Sequence, residues 1–492
     1  MRDDELKQLK QHIASRWPTS GDFYAERDDR TVRLVGPIAE YATRPVEIHV
    51  DPSTASELTV QRIALAAATL TVRWARRVRV LVPEGVPLHQ ALQRGGHATL
   101  AERVDWEMRM ADPFFDSSPA TADQFSLRLF VGAWSAGVPG AYKDDYQVCA
   151  IAWTALGARL DNDALRTVIA GDATAPAAAL AGALGAADLF KRAVGHAPPD
   201  WLPTFALDTW SAELALGNGS WDAQVIRSVP QSIDVGRLLL AGVGAIGSAI
   251  LYVLDMMVPT GHVTLLDCDS VDTTNLNRSP LFSVLDAYRA TPKTTVAERW
   301  ISNSRGLSVR AIDGVWRDHA ENLGLAGFDA WISLTNEDGA WANVPFQLPP
   351  VVLHGTTTSG WGFGAGRHIP RVEDCTMCRM PRPEAEFRGP CAQGALWPTA
   401  QMHGSPRQVA SLPFLSTASA ALVLSLLSQL EYGREALQLP NSLSADLSAG
   451  LPALIALYRG PTAGCRGCHV ICSSEWDRRG GRGRFAALTS SR

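Results

Sequence analysis

Neither sign of charge dominates this 492-residue chain: 45 Lys and Arg stand against 50 Asp and Glu, for a net charge of -5. The pI near 6.1 excludes the broad basic footprint of a nucleic-acid-binding surface. Only the final stretch, with Arg478, Arg479, Arg482 and Arg484, is locally basic, and residues 473–492 read as a flexible, solvated tail. The N-terminus, Met1-Arg2-Asp3-Asp4-Glu5, lacks the apolar core of a signal peptide, so a cytoplasmic location is expected. A long unbroken apolar run is also missing. The most apolar stretch, 410–430, is interrupted by Pro413 and several Ser and Thr residues, which suits a buried helix and predicts no membrane span. Solenoid periods and low-complexity tracts are absent too.

What is present is 46% hydrophobic content over a length that holds two or three domains, each with a full core. In the first half, 46–50 and 78–82 read as strands flanking a long apolar helix over 55–74. Beyond them 146–153 is strand-like and 176–194 is an alanine-rich helix ending at Gly195. This half, 1–217, follows a polar segment ending near Arg30 and predicts a layered α/β domain without a glycine-rich turn. A polar, proline-bearing stretch over 217–234 holds the boundary. Past it, strands at 238–241, 263–266, 308–312, 330–334 and 350–354 alternate with helical segments, the outline of a doubly wound, mostly parallel sheet over 218–472.

The chemistry concentrates in this second half. The strand 238–241 runs into Gly242-Val243-Gly244-Ala245-Ile246-Gly247 and then an apolar helix opening, the strand, turn and helix of a nucleotide-binding βαβ unit. Gly242 permits the tight turn, Gly244 lets backbone approach a phosphate, and Gly247 allows the helix to pack on the strand. The next strand ends at Asp267, where a carboxylate can accept hydrogen bonds from a ribose hydroxyl. Two CxxC pairs, Cys375/Cys378 and Cys465/Cys468, match the knuckle geometry of a closed tetrahedral Zn²⁺ site. Eight cysteines in a reducing compartment are otherwise poor candidates for disulfides. Cys149 and Cys268 fall in or beside strands and read as packing residues, whereas Cys391 lies in a loop rich in Pro, Gly and Arg, where Arg388 would favour its thiolate.

After the glycine turn and Asp267, the run Cys268-Asp269-Ser270-Val271-Asp272-Thr273-Thr274-Asn275-Leu276-Asn277-Arg278 resembles the adenylation domain of the ThiF, MoeB and ubiquitin-activating enzyme superfamily, over 235–469. The resemblance implies ATP and Mg²⁺ as cofactors. Asp267 and Asp269 would lie at the nucleotide, Asn275 and Arg278 at its phosphates, and Lys293 on the following helix would neutralise phosphate charge. Such cations would stabilise the charge that builds at the α-phosphate. The family's usual Mg²⁺-binding Asp after the fourth strand is replaced by Asn336, so Asp338 or Glu337 would supply the carboxylate from a shifted turn. The family also implies a structural zinc on the four cysteines, a thioester-forming role for Cys391 and an arginine from the region of Arg227. The first half then resembles an inactive adenylation-like domain, paired with the active one within one chain or across a homodimer. The most similar arrangement is a bacterial ubiquitin-like protein activating enzyme of the Bil antiphage type, with a ubiquitin-like protein and a conjugating enzyme as partners. Activation of a sulfur carrier, or a non-catalytic nucleotide-binding scaffold, stays open at this point.

Overall fold

The computed structural model describes residues 13–36, 39–93, 96–119, 126–134, 145–159, 171–195, 205–216, 229–230, 232–302, 306–325, 327–335, 340–358, 361–379, 412–447, 453–471, 473–479, 484–485 and 488. Alternation of buried and half-buried positions makes β1 (Val46–Val50) a strand with one face in the core. It pairs in parallel with β2 (Val78–Leu81) and β3 (Leu127–Val131). β4 (Tyr146–Ile151) joins β3 in parallel, and β5 (Thr154–Arg159), β6 (Phe205–Asp208) and β7 (Leu214–Leu216) continue the sheet antiparallel. The second sheet begins with β8 (Ile233–Ala241), β9 (Pro259–Asp267), β10 (Leu307–Asp313), β11 (Ala330–Ser333) and β12 (Val352–Thr357). These are the five parallel strands expected from the sequence. β13 (Gly362–His368), β14 (Ser442–Asp446) and β15 (Ala453–Leu457) extend it antiparallel.

The strand orders are β2-β1-β3-β4-β5-β6-β7 and β10-β9-β8-β11-β12-β13-β14-β15. Set β1 on β8 and the two sheets share one topology, except that β10 has no counterpart among the described residues of the first. Even the long helices correspond: Ala175–Ala193 falls between β5 and β6, as Pro413–Leu430 falls between β13 and β14. These two helices pack on each other, and on the helices Leu58–Thr71 and Ala245–Asp255. One apolar cluster therefore runs through both halves of the chain. Pro413–Leu430 has a mean hydropathy of 1.5 and is the one helix among the described residues long and apolar enough to cross a membrane. Every position in it is buried, against β12, β13 and the Ala175–Ala193 helix.

Both ends of the chain carry ordered elements, and the C-terminal one corrects the expectation of a flexible tail. The charged N-terminal segment carries the helix Ser20–Arg27, started by a capping box between Thr19 and Asp22, and buries Phe23 and Tyr24. Arg27, with no exposed surface, is held between Asp28 at 2.6 Å and Asp112 at 2.7 Å, so its charge is paired rather than solvated. At the other end the described residues of the basic tail are docked. Trp476 in the helix Ser474–Arg479 is 1% exposed and donates its indole N–H to the Pro349 carbonyl at 2.9 Å. Phe485 and Leu488 are also buried, and Arg484 beside them pairs with Asp234 at 2.9 Å and with Glu431, so apolar burial and ion pairs hold the segment together.

Candidate active site

β8 has β9 on one side and β11 on the other, so the order of the second sheet reverses at β8 and leaves a crevice beyond the carboxyl ends of these strands. The glycine turn opens into it. Gly242 has φ +98°, and a Cβ there would lie 2.8 Å from the backbone of Leu334. A Cβ on Gly247 would lie 2.1 Å from the Gly242 carbonyl oxygen, so only glycine lets the Ala245–Asp255 helix start this close to the strand. At Gly244, the helix N-cap, a Cβ would meet nothing within 4 Å among the described residues. The space a phosphate needs is thus in front of Gly244, beside N–H groups that no side chain caps.

Asp267 ends β9, next to the turn. One carboxylate oxygen accepts the Val243 N–H at 2.6 Å and the other the Asp269 N–H at 2.9 Å. Each oxygen keeps a second lone pair for a hydroxyl donor. Burial pushes the pKa of this carboxyl up, against the opposing effects of Lys293 and the two N–H bonds. A ribose hydroxyl would stabilise the ionised form further. Lys293, at the first position of the helix Lys293–Ile301, pairs with Asp269 at 2.6 Å. The lysine is nearly buried while the Asp269 side chain is 65% exposed, so the pair is weak enough for a phosphate to displace the carboxylate.

Asn275 and Arg278 lie in the turn after β9, and both are buried. Asn275 closes a capping box by accepting the Asp272 N–H at 3.0 Å, which fixes the start of the short Thr273–Asn275 turn. Arg278 folds back to donate to the carbonyl of Thr274 and, at 3.1 Å, to Asn277 Oδ1. The first half of the chain reaches into this turn, with no announcement in its sequence. Thr31 Oγ1 accepts from Asn277 Nδ2 at 2.9 Å, and Arg16 donates to Thr273 Oγ1 and the Ala287 carbonyl, each at 3.2 Å. Arg73 donates to carbonyls of the same turn. Contacts this remote along the chain leave no local sequence signal. Cys268 corrects its assignment as a packing residue: it is exposed beside Asp267 and Asp269, whereas Cys149 is buried as expected and its thiol pKa is pushed up to about 12 by burial.

Cys375, Cys378, Cys465 and Cys468 converge, with sulfur separations of 3.7, 3.6 and 3.3 Å along the chain of contacts 378-375-465 and 378-468. A tetrahedral ion with sulfurs at about 2.3 Å needs them about 3.8 Å apart, so this donor set fits Zn²⁺ with little adjustment. Leu348, Ile471 and Trp476 pack around it. Arg227, Asn336, Glu337, Asp338 and Cys391 lie outside the described residues.

The equivalent place in the first half is closed. After β1 comes Asp51-Pro52 instead of glycine, and Asp51, 2% exposed, accepts N–H bonds from Ser53 and Trp134, each at 2.9 Å. Its carboxylate ties the turn after β1 to the segment that follows β3.

Residues 224–327 match the model of the ThiF family, so the chain carries a ThiF-family segment. No curated protein matches the chain. Among solved structures it is similar to E. coli MccB with AMPCPP and selenomethionine MccA, at 17% identity and a TM-score of 0.36, over 47% of this chain and 66% of that one. E. coli MccB with ATP matches at 17% identity and a TM-score of 0.35 over the same shares. The microcin C7 biosynthetic enzyme MccB in complex with N-formylated MccA matches at 17% and 0.35, over 47% and 67%. The match thus spans about two thirds of those chains, and likeness at this level bears on neither substrate nor partner.

Proposed function

We infer from the ThiF-family segment and the crevice beneath it that the chain is an ATP-dependent enzyme that adenylates the C-terminal carboxylate of a ubiquitin-like protein. The observation that carries this reading is the convergence, at the strand-order reversal beside β8, of a glycine turn open at Gly244, the carboxylate of Asp267 and the displaceable cation of Lys293. The turn and the bare helix N-terminus receive the phosphates, Asp267 accepts the ribose hydroxyls, and Lys293 and Arg278 take up phosphate charge. Mg²⁺, held with the help of Asp338 or Glu337 beside Asn336, would neutralise the remaining phosphate charge.

In the reaction, a carboxylate oxygen of the partner bonds to the α-phosphorus while the bond to the bridging oxygen breaks, and pyrophosphate leaves. The thiolate of Cys391 then attacks the acyl carbon, AMP departs, and the resulting thioester passes to the thiol of a conjugating enzyme. Zn²⁺ on the four cysteines holds the knuckle that follows β13. Residues 1–217 act as an adenylation-like copy without nucleotide residues, pairing within the chain with the active copy at 218–472, in a cytoplasmic conjugation system serving antiphage defence. The test is ATP–pyrophosphate exchange that depends on a small ubiquitin-like protein. A DTT-sensitive adduct, lost in Cys391→Ser, is the expected second step. Exchange without any such adduct would instead mark a sulfur-carrier activator, and absence of exchange would sink the enzymatic reading.

A further inference from the structure

Arg73 follows the helix Leu58–Thr71 in the first half, and it is 2% exposed. Its guanidinium donates to Leu276 O at 2.5 Å, Pro280 O at 2.6 Å and Phe282 O at 3.3 Å, and it has no ion-pair partner among the described residues. Burial pushes its pKa down to about 9, which still leaves it charged at neutral pH. A desolvated cation without a carboxylate is costly to bury, and here only its bonds to backbone carbonyls offset that cost. What the guanidinium does that an apolar group does not is hold several carbonyls of one turn with a rigid planar fork. Those carbonyls bracket Arg278, and on the same turn Asn277 is tied to Thr31, also in the first half.

We propose that Arg73 is a positioning residue, through which the first half of the chain sets the 275–282 turn, and with it Arg278, for nucleotide. The proposal rests on the adenylation reading and assigns the motif-poor half a direct part in it. Charge-assisted hydrogen bonds of this kind are strong enough that their loss in Arg73→Ala is expected to raise the KM for ATP about ten-fold or more. The KM for the protein substrate should stay unchanged, and non-denaturing guanidinium ion should restore ATP affinity. Thr31→Val, which leaves the buried Asn277 amide unpaired, should raise the same KM several-fold, beyond what its lowered melting temperature accounts for, and Arg73→Lys should fall between Arg73→Ala and wild type.

Unchanged ATP affinity in Thr31→Val and Arg73→Lys would overturn the proposal. So would affinity that falls only in step with melting temperature and is not rescued by guanidinium. Wild-type protein that binds no ATP would overturn the adenylation reading and this proposal together. Wild-type binding with indifferent Arg73 variants would overturn this proposal alone.

Discussion

Gly244 and Gly247 sit three residues apart, yet their substitution should have opposite signatures. A methyl on Gly244 enters open space, so Gly244→Ala should melt like wild type while nucleotide affinity, read by calorimetry, drops about ten-fold as the phosphate approach closes. A methyl on Gly247 collides with the Gly242 carbonyl oxygen, so Gly247→Ala should lose about 1–3 kcal/mol of stability as well as nucleotide binding. Lys293→Met offers a third contrast. Its partner Asp269 is largely exposed, so the pair contributes at most about 1 kcal/mol to folding, and the variant should stay folded while its KM for ATP rises steeply. These residues were legible in the sequence because a turn, a strand end and a helix start are local features. Arg73, Thr31 and Arg16 were not, since their targets lie more than 200 residues away. Cys268 misled because it lies one residue past the end of β9, where the pairing that would bury it has already stopped.

Among the elements, the four-cysteine knuckle joins the loop after β13 to the helix Arg466–Ile471, and both pack against Leu348 and Trp476. One equivalent of zinc per chain is expected by metal analysis. Chelation, or Cys465→Ser, should lower the melting temperature by several degrees, because a closed four-thiolate site binds zinc more tightly in the folded chain than in the unfolded one. The spacing of the cysteines announced this site. The helix Ala175–Ala193 carries a different test. Its Lys191 is buried, donates to the Leu447 carbonyl and lies 4.8 Å from the Trp361 ring centre, and burial lowers its pKa to about 7. Between about pH 7 and the ordinary lysine value near 10.4, the unfolded chain holds a proton that the folded chain has released, so this residue's contribution to stability rises with pH across that window and is least favourable below it. Stability of wild type relative to Lys191→Met should therefore rise from pH 7 to 9 in denaturant titrations, and a flat difference would count against the lowered pKa. The antiparallel strands were the hardest elements to foresee. β13 carries Gly362, Gly364 and Gly366, residues of low strand propensity, yet it is buried end to end between β12 and β14, where pairing on both sides overrides propensity.

At the scale of the whole molecule, the sequence displayed five parallel strands in the second half and a layered first half, and its resemblance implied an adenylation-like copy there, but the strand order that the two sheets share was not visible. Topological likeness without shared motifs leaves no periodic signal, and it emerges only once strands are paired. Because the apolar cluster is continuous across both halves, residues 1–217 or 218–492 produced alone should be insoluble or molten, while co-expression should yield a soluble complex. Two monomeric, cooperatively melting fragments would contradict the shared core. The pairing of the two long buried helices also has a temporal side. At about 5–20 residues per second, the ribosome delivers the first helix many seconds before the second, and through that interval its alanine and leucine flank has no mate. Newly made chains should therefore depend on a holdase until translation has passed the second helix, and output in a heterologous host should follow chaperone supply more closely than message level.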